Sequence, residues 1–77
     1  MNVARKKEMK RIVSELETAK EDLQTMYTVL EEEMEEKSEK WKESEAGEQA
    51  QTELDNIRQC MDEIEGACDF INEYAND

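Results

Sequence analysis

The apolar residues of this chain follow a three–four rhythm that runs through both halves and falls silent between them. Met9, Ile12, Leu16, Ala19, Leu23, Met26 and Leu30 alternate steps of three and four, the spacing that keeps one stripe of a helix turned toward a partner helix. Val13, Tyr27 and Met34 lie beside this seam and widen its apolar face, which suits a bundle better than a bare two-stranded zipper. The rhythm returns in Ala50, Leu54, Ile57, Met61, Ile64, Cys68, Ile71 and Ala75, with Cys60, Ala67 and Tyr74 along one flank. From Met34 to Ala50 the only intervening apolar residues are Trp41 and Ala46. Continuing the first repeat in phase would put Glu33, Lys40 and Gly47 into the seam, so the two halves are not one continuous helix in phase; they form either a hairpin, which the pattern favours, or one long bent helix.

Ser38, Ser44 and Gly47 mark the break. Ser44 suits a helix N-cap, with Glu45 and Glu48 near the positive end of the helix that follows. The pattern predicts helices from about Val3 to Lys37 and from about Glu45 to Tyr74, joined by a turn over 38–44. The expected fold is all-α, an antiparallel two-helix coiled-coil hairpin forming one domain over residues 1–77. Folding back near Trp41 sets Leu30 near Leu54, Leu23 near Met61, Leu16 near Cys68 and Met9 near Ala75. Charge favours this order, because Arg5, Lys6, Lys7, Lys10 and Arg11 then face Asp69, Glu73 and Asp77.

Two helices alone bury only their facing stripes, and 77 residues rarely supply a self-sufficient core. Val13, Tyr27 and Met34 on the first helix, with Phe70 and Tyr74 on the second, form the expected dimer or docking face. A homodimeric four-helix bundle is the economical way to cover it.

Composition removes several function classes. No apolar run approaches the roughly 20 residues a membrane span needs, and no apolar segment follows the basic start as in a signal peptide. With no His and only Cys60 and Cys68, neither a zinc site nor His-based catalysis is expected. The two cysteines read as reduced thiols, small core residues of a cytoplasmic protein. The formal net charge of -12 argues against direct contact with nucleic acid or an anionic membrane.

The charge is concentrated. From Ser14 onward the chain carries five basic residues against 21 acidic ones. Glu31, Glu32, Glu33, Glu35 and Glu36 surround Met34, and Glu39, Glu43, Glu45 and Glu48 carry the block through the turn. Such a block either solvates a hairpin tip or docks on a basic surface of another protein, where complementary charge speeds and orients association. Trp41, flanked by Lys40 and Lys42, is either a lid on the open end or an interface anchor. Glu32, Glu35, Glu36, Glu39 and Trp41 are the expected partner-binding residues. Carboxylate pairs such as Glu32 with Glu35, or Asp62 with Glu65, would suit a magnesium-dependent nucleotide pyrophosphohydrolase. Such spacings arise by chance in a chain this acidic, and no Gly-rich loop accompanies them. No catalytic residue, metal ligand or cofactor is expected.

The segment Ser44-Glu45-Ala46-Gly47-Glu48 opens the second helix and is followed by Leu54, Ile57, Ile64 and Ile71 at heptad-related spacing. Together with the basic first turn and the Glu-rich stretch, this layout resembles a group of small acidic helical-hairpin proteins of Gram-positive prophages and mobile elements. The resemblance implies an inhibitor of host machinery, anti-CRISPR-like or otherwise anti-defence, that works by stoichiometric binding. The functional expectation is therefore a noncatalytic protein-binding module whose acidic surface docks on a basic, nucleic-acid-binding site of a host protein. The alternatives are a homodimeric coiled-coil structural or phage assembly protein and the pyrophosphohydrolase.

Overall fold

The computed structural model describes residues 2–76, and every regular element in them is helical. Helix α1 spans Val3–Glu35, a short α2 spans Glu39–Lys42 and α3 spans Glu45–Ala75. The long helices run antiparallel and pack along their length, forming a rod 58 Å long and only 15 × 11 Å across. The expected hairpin is therefore present, and the region read as a turn holds a single helical turn of its own.

Each helix starts on a side-chain cap. Asn2 accepts from the Arg5 amide at 2.8 Å, Ser38 from the Trp41 amide at 3.1 Å and Ser44 from the Gly47 amide at 3.3 Å. All three caps have extended backbone, so each satisfies an orphan N–H while turning the chain. Two such caps six residues apart reverse the chain without proline and without any positive-φ residue among those described. Gly47 is buried beneath this corner. A Cβ there would lie 2.5 Å from the Trp41 carbonyl oxygen and closer still to that of Lys42.

The α3 seam matches the sequence reading at every position. Leu54, Ile57, Met61, Cys68 and Ala75 are buried, while Ala50, Ile64 and Ile71 are half-buried. The α1 seam is rotated from the expected one. The line that faces α3 is Met9, Val13, Leu16, Lys20, Leu23, Tyr27, Leu30 and Met34. Ala19 and Met26, expected in the seam, are exposed, and Ile12 is half-buried.

The rotation has a physical cause. Turning Val13 and Tyr27 inward buries a β-branched side chain and a large ring where the expected line offers the small Ala19. The phenol finds a partner, because Arg58 Nη2 donates to Tyr27 Oη with the guanidinium 5.1 Å from the ring centre. Lys20, the one charged residue on the line, lays its stem along the interface and extends its ammonium to Glu65 at 3.2 Å. Tyr27, Leu54, Ile57 and Met61 form the main core, with Leu23, Leu30 and Met34 packed against it.

The charge attraction expected at the open end takes another form. Arg11 pairs with Glu8 and Glu15 on its own helix and holds the Glu8 carboxyl below its usual pKa range. Among the described residues no ion pair joins the basic cluster to Asp69 or Glu73, and Asp77 lies outside them. Residues three and four apart on one helix meet without ordering a second helix, so local pairs win.

Candidate interaction surfaces

The hairpin presents two unlike faces and one acidic end. On one face the groove between the long helices is rimmed by the charged residues Glu17, Lys20, Glu21, Glu65 and Asp69, with Cys68 among its lining. On the other, Arg5, Glu8 and Met9 of α1 line a small recess with Tyr74 of α3. Residues seven apart share a stripe, so Ile12, Ala19 and Met26 follow Arg5 along this second face, and Ala67 and Cys60 follow Tyr74. Phe70 and Tyr74 are 69% and 53% exposed, their rings near-parallel with centres 6.5 Å apart, and Met26 and Val29 are 51% and 47% exposed. These four large apolar side chains share one side of the rod, while Val3, 71% exposed, falls on the stripe of Lys10, Glu17 and Gln24 on the other.

This corrects the composition of the expected docking face. Phe70 and Tyr74 lie open on it. Val13 and Tyr27 are buried between α1 and α3, and Met34 is half-buried against the core. On α1 it is Ile12, Ala19, Met26 and Val29 that lie on the same side of the rod as Phe70 and Tyr74. The signal for them was present as a second apolar line beside Met9, Leu16, Leu23 and Leu30. The sequence reading sets Ile12, Ala19 and Met26 in the seam and Val13, Tyr27 and Met34 beside it, and the structure exchanges the two.

At the closed end, Glu32, Glu35, Glu36 and Glu39 are all exposed, and helical spacing brings Glu32 beside Glu35 and Glu36 on the side of α1 away from the core. Glu31, Glu33, Glu43, Glu45 and Glu48 are also exposed. Trp41 is half-buried, with the Lys37 ammonium 5.6 Å from its ring centre. Lys42 approaches Glu39 at 3.6 Å. The tip thus offers nine carboxylates against three lysines, two of them already engaged locally.

The two cysteines differ in reach. Cys60 is exposed and Cys68 is buried, its thiol 4.0 Å from the Val13 carbonyl oxygen. Burial pushes the Cys68 thiol pKa up, and the nearby carboxylates of Glu17 and Asp69 push the same way. A thiol-specific reagent at neutral pH, in dilute solution, is expected to modify Cys60 at an ordinary rate and Cys68 at least roughly a hundredfold more slowly, because Cys68 reacts only from opened molecules. Equal rates would show that the interface near Val13 is not closed. Because the folded thiol has the higher pKa, stability is retained below the ordinary thiol range and lost as pH rises through the raised value.

Among the described residues, no group of three or more Cys, Asp or Glu side chains is arranged to hold a metal ion. No helix among them is long and apolar enough to cross a membrane. Comparison with protein-family models, curated proteins and solved structures finds no match to this chain.

Proposed function

We propose that this protein is a noncatalytic binding module that uses its acidic tip to occupy a basic, nucleic-acid-binding site on another protein. The observation that carries this reading is the tip's uncompensated charge, held outward at the end of a narrow rod. Arg58 is the only basic residue on α3, and it is engaged with Tyr27 in the core. A protein groove evolved for phosphates offers lysines and arginines at close spacing, and a rod with tip carboxylates meets it with complementary charge. Stoichiometric occupation of that kind inhibits without chemistry, in keeping with the expected role of a mobile-element protein acting on a host complex.

The test is charge reversal at Glu32, Glu35 and Glu36 together. Capture of a basic partner, identified by pull-down from the natural host and mass spectrometry, is expected to fall by at least about a hundredfold while helicity is retained. Undiminished capture removes the charge-docking reading. An assembly or scaffolding role is the second reading, favoured by the apolar side of the rod, and it predicts association that survives these reversals.

A further inference from the structure

We propose that two copies of this chain pair through the apolar side of the rod in an antiparallel, two-fold arrangement, so that the acidic tips point away from each other. The stripe of α1 on that side reads Arg5, Ile12, Ala19, Met26, Glu33. It is complementary to itself when reversed about Ala19. Arg5 then comes opposite Glu33 of the second copy, Ile12 opposite Met26, and Ala19 opposite its own equivalent, where a small side chain lets the helices approach. An isologous contact requires this kind of self-complementarity.

Charge selects this arrangement over the other two-fold face-to-face pairing. A two-fold axis along the rod would place both tips together, stacking nine carboxylates of one copy on nine of the other. It would also set α1 of one copy across from α3 of the other, so that Ala19 no longer meets its equivalent. An axis across the rod reverses one copy and sets each basic end beside an acidic tip. The surface area supports a second copy as the occupant. The chain exposes 5904 Å², whereas the usual scaling for a compact monomer of 9.1 kDa gives about 4,900 Å². The excess of about 1,000 Å² is comparable to the roughly 800 Å² that each partner buries in a standard interface. Phe70, Tyr74, Met26 and Val29 are the large side chains this contact covers.

Sedimentation equilibrium across a concentration series tests the pairing, and it does so independently of any target of the tip. A dimer is expected, with Arg5→Glu and Glu33→Arg each weakening it about tenfold and the double exchange restoring it, at unchanged helicity. On a Cys60→Ser background, Ala19→Cys is expected to form a symmetric disulfide under mild oxidation. A monomeric mass at every concentration overturns the proposal and leaves the apolar side to a different partner. A dimer that the double exchange fails to restore, with no symmetric Ala19→Cys disulfide, overturns it in favour of the tips-together arrangement.

Discussion

Truncating Leu54 to alanine is expected to cost about 2–5 kcal/mol of stability, the range for emptying a large aliphatic position in a packed core. Leu54 is 3% exposed and sits among Tyr27, Ile57 and Met61, with Leu23, Leu30 and Met34 on the facing helix. Chains of this size have total stabilities of only about 4–12 kcal/mol. A loss near 3 kcal/mol lowers the melting temperature by about 12–24 °C. The interface is one seam deep, so no second layer collapses into the gap. Thermal unfolding followed by far-UV circular dichroism reads the change. A shift of only a degree or two would mean that the Tyr27–Leu54 cluster is not the centre of the fold.

The two glycines should respond to the same substitution with opposite signs. Gly66 lies exposed within α3, and an added Cβ would meet nothing within 4 Å. Gly66→Ala is therefore expected to stabilise by about 0.5–1 kcal/mol, the helix-interior difference between the two residues. Gly47→Ala gains part of the same propensity but drives a methyl into the carbonyls of Trp41 and Lys42. Those oxygens belong to backbone that two serine caps hold, so relieving the overlap means moving α2 off α3. A net loss of about 2 kcal/mol is expected, as for other forced overpacking. Urea denaturation of both variants beside the parent checks the contrast, and a stabilised Gly47→Ala would show that the corner is loose.

The difference between what the residues announced and what they concealed follows from how many apolar lines each helix carries. On α3 the line Leu54, Met61, Cys68 and Ala75 has Ile57, Ile64 and Ile71 on one side and the polar Arg58, Glu65 and Asn72 on the other, so one pair of lines satisfied the heptad and it is the pair that is buried or half-buried. On α1, Met9, Leu16, Leu23 and Leu30 are flanked on both sides. The unbroken run favoured Ile12, Ala19 and Met26, because Lys20 interrupts the other line, while packing favoured Val13, Tyr27 and Met34. The deciding factors were ring size, the hydrogen bond from Arg58 and the ability of Lys20 to lie along an interface, none of which a periodicity carries. At the corner, Ser44 was legible as a cap, but Ser38 opening its own turn of helix was not, because four residues give no period. The requirement at Gly47 comes from carbonyls five and six residues earlier in sequence. Of the tip, the exposure of Glu32, Glu35, Glu36 and Glu39 was legible from charge alone, and the Lys37–Trp41 stacking was not.

The seam has a further implication for how such a chain changes over time. Because each layer touches only the layers next to it, arm length behaves like the number of rungs on a ladder. Seven residues removed from each arm at matching levels would shorten the molecule and leave the remaining layers in phase. The same deletion in one arm alone would leave unmatched layers in the other. Lineages carrying this architecture should therefore differ by paired whole-heptad steps, with the serine-capped corner retained as the fixed point from which both arms are measured.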